Sequence, residues 1–577
     1  MRRSLLALAL SAFAATCTVA AAQTPQPVAV SPWGVAPGHD SGWGAWQWAG
    51  DMAPAGVTNV RGFADYPDRF NDLTQAGLTA EGLLMWSPNG QPFGFPVGNI
   101  AGWNSYVQDI VSRYQGRVTQ WEVWNEPPNS TDYGTPNSPA DYATIVQAAY
   151  TTAKGVDPNV HIGLAAKSMH VRYLAEAIDA GAAGKYDYIT VHPYEVAGLV
   201  RKGWEAQYMA IVPTIRKMLA EKDPARANVP IEFTEVGIAT NWPNRTFPYA
   251  VTEQEQADNL VKFYTMGIAQ GVSHIHWFEP YDGDTPDPAT SAAPMGLKQV
   301  DGRLRPAYAA LKSLIELLGE KPTYLGWTDF SGAGYGFYFN LPYNGVDWTI
   351  LVAWANPGGQ VPLTFASPVD VVNPTDGVQN EYQTQSLQLT NSPLILSVAP
   401  GSIATAWRQT ASVSRLQAFR WGGDYSNATS VSFTAGQADQ GLHMIDKPAP
   451  VTVNGVQAYP VNGRSGVSFT VDPNFLSWTA RPITITAVLH PYDNGNGNGA
   501  GFNLKYESTA ALSTTDGNTL SYGPNCWCGV PAGGPTTLTW TISNPRFVGL
   551  YGQNFAFDSD SPQYANYAIE KITITKN

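Results

Sequence analysis

Two short stretches hold the residues best suited to chemistry. The first, "QWEVWNEPPN" at residues 120–129, crowds two tryptophans, two carboxylates and an asparagine into six positions and then stops at Pro127 and Pro128. A buried strand tolerates that many polar groups only when they have partners. The second, "VPIEFTEVG" at 229–237, ends in Glu235 just before Gly237. Carboxylates at the ends of two strands can divide one task. One stays protonated and donates to a leaving oxygen, while the other stays ionised and attacks a carbon. Cleavage of a glycosidic bond needs such a pair.

The elements that must position them alternate. From about residue 30 to 320, eight apolar, β-rich runs are each followed by a helix-length segment: "WGVAP", "VTNVRGF", "GLLMWS", "VTQWEVWNE", "VHIGLAA", "YDYITVHPY", "VPIEFTEVG" and "VSHIHWFEP". That count and size predict a (β/α)8 barrel, an α/β TIM-barrel fold. The competing doubly wound sheet lacks a glycine-rich phosphate turn after its first strand. A barrel carries its chemistry at the C-terminal ends of its strands, so Glu126 on strand four and Glu235 on strand seven can face each other across the mouth. Simple alternation puts Glu122, Trp124 and Glu126 on one side of strand four and Asn125 on the other.

The neighbouring residues divide into chemical and structural candidates. Glu122 reads as a buried partner for an arginine such as Arg61. Glu232, of opposite parity to Glu235, is expected to face the helices. Glu195 and Glu279 border the mouth. Trp86 and Trp242 are either sugar platforms or core. His274 and His276 form a His-x-His pair on strand eight and read as packed or substrate-facing groups.

"WEVWNEPPN" followed about a hundred residues later by "TEVG" resembles the signature of glycoside hydrolase clan A, most closely glycoside hydrolase family 39, over roughly residues 30–320. The resemblance implies a retaining mechanism with Glu126 as general acid/base and Glu235 as nucleophile. It implies Asn125 as a contact to the sugar 2-hydroxyl. "VHPY" resembles the clan's His-x-Tyr pair, with His192 as a supporting or substrate-contacting group and Tyr194 as a partner of the nucleophile. Trp277 in "HIHWFEP" takes the place of the tryptophan that stacks on the reacting sugar, and Arg61 that of the arginine holding the nucleophile ionised. Beside this, Arg61 and Tyr194 near Glu235 should lower its pKa, whereas Glu126, without such partners and walled by tryptophan, should have a raised one. Exo-acting β-xylosidases and endo-acting polysaccharide hydrolases both occur in such a family. The abundant aromatics, long strand-end loops and appended C-terminal sandwich favour a poly- or oligosaccharide substrate. The alternative function is a carbohydrate-binding or adhesion protein with a weakly active or transglycosylating barrel.

After Gly319 helical periodicity gives way to short alternating strands separated by Gly, Pro and Asn turns. The expected organisation is therefore a signal peptide at 1–22, a catalytic barrel at 23–319, an accessory β-sandwich at 320–411 and a C-terminal β-sandwich at 412–577. The last unit either binds glycan through Trp421, Trp478, Tyr522 or Trp527, or is a stabilising sandwich with core tryptophans. Its "YDNGNGNGAG" tract reads as a flexible loop, with Ca²⁺ binding through Asp493 as the lesser alternative.

The leader "MRRSLLALALSAFAATCTVAAAQ" has two arginines, an apolar run and a small-residue cleavage site before Gln23, which predicts a secreted or periplasmic protein. The run is short of a membrane span, so no membrane insertion is expected. Among 577 residues the net charge is −13, and −15 once Arg2 and Arg3 are removed. With no basic run, nucleic acid is excluded as a partner. Cys526 and Cys528, without a nearby His, give zinc no support; they are either a strained disulfide or two thiols. No metal or cofactor is expected.

Overall fold

The computed structural model describes residues 26–577 apart from 39–47, 64–66, 86–94, 129–137, 243–244, 283–292, 329, 331–332, 344–345, 399–408, 411–424, 426, 438, 479, 493–498, 510–519, 525–526 and 551. The leader, Trp86, Trp421, Asp493 and Cys526 lie outside the described residues.

Eight parallel strands close into a barrel in chain order: β1 Trp33–Ala36, β2 Asn59–Phe63, β3 Thr79–Leu84, β4 Val118–Val123, β5 His161–Ala166, β6 Tyr188–Val191, β7 Ile231–Val236 and β8 Ile275–Phe278. The helices between them start and stop where their sequences dictate. Helix Pro139–Val156 begins with proline after Ser138, whose hydroxyl accepts from the Asp141 amide at 3.0 Å. Helix Glu253–Gln270, which leads from β7 towards β8, carries a reciprocal capping box between Thr252 and Glu255. It ends at Gly271 with φ 88°, a left-handed position that glycine adopts without steric cost.

The strands sort their side chains in an unusual way. Apolar residues face the helices: Trp33 packs on Tyr264, Phe233 on Tyr208 and Trp277 on Phe263. Polar residues fill the bore. The Gln120 amide on β4 donates to Glu232 on β7 at 2.8 Å, a bond that crosses the barrel interior. Tyr188 donates to Glu81 at 2.8 Å, and His276 bonds Asn59 at 2.6 Å. Glu232 therefore points into the bore, not towards the helices as its parity had suggested. A register irregularity between Phe233 and Val236 breaks the alternation, so Glu232 inside and Glu235 at the mouth are compatible.

The barrel is followed by two β-sandwich domains. The first is built on one seven-stranded antiparallel sheet spanning 323–410. Its strand Gly334–Tyr343 shows why it works on both faces. Phe337 and Phe339 join the core shared with the barrel, while Tyr338 between them joins the sheet's own core, the period-two pattern of a strand buried on both sides. The Trp354 indole donates to Glu205 at 2.9 Å, and Lys262 reaches Asn391 at 2.8 Å, tying this sheet to the barrel helices.

The second domain packs two antiparallel sheets around an aromatic core that includes Phe469, Phe502, Trp540 and Phe557. It is fastened to the barrel by the Trp478 indole on Glu221 at 2.8 Å and by Lys217 on the Pro473 carbonyl at 2.6 Å. Trp478 is thus buried at the joint, which removes it from the candidate glycan platforms. Tyr522 and Trp527 are exposed. Among the described residues no helix is long and apolar enough to cross a membrane.

Candidate active site

Strand β4 ends at Val123, and the chain then leaves extended geometry. Trp124 has φ 68° and Glu126 φ 49°, so the alternation expected for residues 122 to 126 does not hold. Trp124 turns outward and packs against Phe95 and Trp103. Glu122 stays in the bore, and the left-handed turn brings Asn125 and Glu126 back to the mouth. Left-handed backbone in non-glycine residues costs free energy and is concentrated at functional sites.

Arg61, on β2, organises the charges. Its Nε and Nη2 hold the two oxygens of Glu122 at 2.7 and 3.1 Å. Nη2 also donates to Asn125 Oδ1 at 2.8 Å, and Nη1 to Glu235 Oε1 at 2.6 Å. Burial opposes its charge, but the carboxylates of Glu122 and Glu235 outweigh burial and raise its pKa. The guanidinium stays charged and spends its fork on three side chains. Glu122 is fully buried on this arginine, as its sequence context suggested.

The other oxygen of Glu235 accepts the Tyr194 hydroxyl at 2.8 Å. Tyr194 opens the helix Tyr194–Val200 directly after β6, two residues beyond His192. The ring of His192 stands between the carboxylates: Nδ1 lies 2.8 Å from Glu126 Oε1 and 3.6 Å from Glu235 Oε2. Its Nε2 meets the Thr234 hydroxyl at 3.1 Å. Glu126, His192 and Glu235 each present an atom within 4.8 Å of the other two. One carboxyl oxygen of Glu126 is therefore less than 5 Å from one of Glu235. The two residues are 13% and 19% exposed, Glu235 the less, in an otherwise buried cluster.

One electrostatic expectation is overturned. Burial raises the pKa of Glu126, but the hydrogen bond and charge of His192, with the fields of Lys167 and Arg61, outweigh it and leave the carboxyl below its usual range. Burial likewise opposes charge on His192, yet Glu235 and the bond to Glu126 push its pKa up. Glu126 is not isolated behind tryptophan; it lies within hydrogen-bond distance of an imidazole.

A second expectation also fails. Trp277 is fully buried, donates to the Met295 carbonyl at 3.0 Å and stacks on Phe263 in the helix layer. It cannot stack on a sugar at the mouth. The aromatic that β8 presents there is Phe278, edge-on to Tyr194 at 6.1 Å. Sequence reasoning missed it because His276, pointing inward beside Gly34, was not known to mark the bore-facing parity. Trp242 is buried. Glu279 accepts from the Gly38 amide at 3.0 Å, where any side chain on Gly38 would collide with it. Glu195 is held by the Ser168 hydroxyl at 2.6 Å, and burial raises its pKa. His274 and His276 are packed, His274 3.0 Å from Glu232.

No family model and no curated protein matches the sequence. Solved structures to which the chain shows a likeness include glycoside hydrolases. One is a family 39 glycoside hydrolase from Bacteroides cellulosilyticus WH2, at 17% identity over 64% of this chain and 81% of that one, TM-score 0.49. A monomeric beta-xylosidase from Caulobacter crescentus CB15 shares 14% identity over 66% of this chain and 98% of its own, TM-score 0.45. A glucosidase from Croceicoccus marinus shares 12% over 96% and 98%, TM-score 0.43.

Proposed function

We propose that the protein is a secreted retaining glycoside hydrolase of clan A, family 39-like, that cleaves β-glycosidic bonds of a poly- or oligosaccharide. The observation that carries this reading is the approach of Glu126 and Glu235 across the barrel mouth, where one oxygen of each lies within 4.8 Å of the other. Retaining enzymes hold the pair ~5–5.5 Å apart, whereas inverting enzymes need ~6.5–9.5 Å to admit a water.

In this reading Glu235 attacks the anomeric carbon while Glu126 gives its proton to the leaving oxygen, so the glycosidic bond breaks as an ester to Glu235 forms. Water then replaces the ester. Glu126, now a base, takes the water's proton, and Glu235 leaves as carboxylate. Arg61 and Tyr194 each hold one oxygen of Glu235 and so fix which lone pair faces the sugar. Arg61 engages the Asn125 oxygen, which turns the NH₂ end of that amide towards a sugar hydroxyl. Export is supported by the leader, and the mature chain should begin at Gln23.

The test is covalent trapping. A 2-deoxy-2-fluoro β-glycoside matched to a substrate found on a panel of aryl β-glycosides and polysaccharides should add one sugar mass to the peptide carrying Glu235. The product released from normal substrate should keep the β configuration by NMR. Label on another residue, inverted product, or tight glycan binding without release would overturn the reading.

A further inference from the structure

The C-terminal domain carries a second feature suited to sugars, and its argument does not pass through the barrel. Strands Gly466–Val471, Phe555–Asp558, Ala500–Tyr506 and Ser521–Tyr522 lie side by side in one sheet. Their register sets Ser468, Ala556, Lys505 and Tyr522 in a single row across all four. The alternating residues Val467, Phe557 and Leu504 drop into the core, so the row stands on the outer face. Because Ser468 and Ala556 are small, the face is hollowed into a cleft of about 520 Å³ walled by Tyr522, which is 59% exposed.

Aromatic surface continues along the face. Four residues from Lys505, about 13 Å at strand rise, Gly501 lies under the indole of Trp527. A Cβ there would fall 2.7 Å from the ring, so the glycine is what lets the indole lie on the sheet. Trp527 is 42% exposed and is braced edge-on by Tyr564, with centroids 5.6 Å apart at 89°. Exposed rings clustered on one face mark a binding surface.

We infer that this face binds a neutral glycan chain. A sugar ring offers an apolar C–H face to tyrosine and tryptophan and hydroxyls to the polar floor, the match that amphipathic aromatic sites require. An apolar peptide would leave the polar floor of the cleft, Ser468, Lys505 and Asp558, without any complementary group. An anionic polymer finds no free positive field: Lys505 is already paired with Asp558, and Asp560 lies within reach of Asn503.

The test is affinity electrophoresis of the full-length protein in native gels containing xylan, mixed-linkage β-glucan or galactomannan, with alginate as the anionic comparison. Migration should be retarded by at least one neutral polymer, and the Tyr522→Ala/Trp527→Ala double variant should lose at least fivefold of that affinity with an unchanged circular dichroism spectrum. Both side chains are exposed, and the spectrum reports whether the sheet beneath them is kept. No retardation by any neutral polymer, equal retardation of the double variant, or preference for alginate would overturn the inference. Retardation requires no turnover, so an inactive barrel leaves this experiment intact.

Discussion

His192 Nδ1 lies 2.8 Å from Glu126 Oε1 at the mouth of the barrel, so a single proton can pass within the pair. Its upper titration belongs to the pair, with His192 raised by the charge of Glu235 and the bond to Glu126 despite burial. Loss of that proton leaves no acid for the leaving group and sets the alkaline limb of kcat/KM. In His192→Asn the only proton is on Glu126 itself. Its pKa, freed of the imidazolium, rises from the lowered value but stays that of a carboxyl. The alkaline limb should therefore move to lower pH. An unmoved alkaline limb would show that the imidazole does not supply the proton.

Tyr194 gives Glu235 one hydrogen bond, at 2.8 Å. A bond to a charged group is worth about 1.5–3 kcal/mol, and in Tyr194→Phe this should appear in turnover as a fall of about 10- to 100-fold. KM should change little, because the hydroxyl faces the nucleophile. Steady-state kinetics on an aryl glycoside separate the two. A rise in KM alone at constant kcat would mean that the hydroxyl contacts substrate instead.

Arg61→Met leaves Glu122 buried with its charge unmatched. Removing one partner of such a pair costs about 3–5 kcal/mol, so the barrel's thermal transition should fall sharply, by calorimetry. Glu122→Gln in the same background should recover part of the loss, because the buried charge is gone. If the double variant is no more stable than Arg61→Met, Glu122 does not depend on the arginine.

The sequence showed the main parts of this site because each carried a local marker. Prolines followed Glu126 just past β4, glycine followed β7 at Glu235, and "VHPY" placed His192 and Tyr194 together. The (β/α)8 alternation followed from the same runs. What stayed hidden was parity. In "HIHWFEP" either the histidines or the tryptophan could face inward, and the usual rule that barrel bores are apolar points the wrong way here. Gln120, Glu232, Glu81 and His276 make this bore polar, so Ile275 and Trp277 go to the helices. The bond from His192 to Glu126 was equally hidden. It depends on a left-handed turn at Trp124 and Glu126, and no residue in "WNEPP" announces one.

Trp277 and Phe278 can be told apart by their failures. Trp277→Ala removes a fully buried indole packed on Phe263 and should cost about 3–5 kcal/mol of stability. Phe278 is only part-buried and stands edge-on to Tyr194. Phe278→Ala should cost much less stability and instead raise KM severalfold, since it strips the apolar wall beside the nucleophile's partner. Differential scanning fluorimetry and kinetics on the same preparations decide the matter. If Trp277→Ala folds with near-normal stability but loses substrate affinity, the indole reaches the mouth and the bore-facing parity assigned to β8 is wrong.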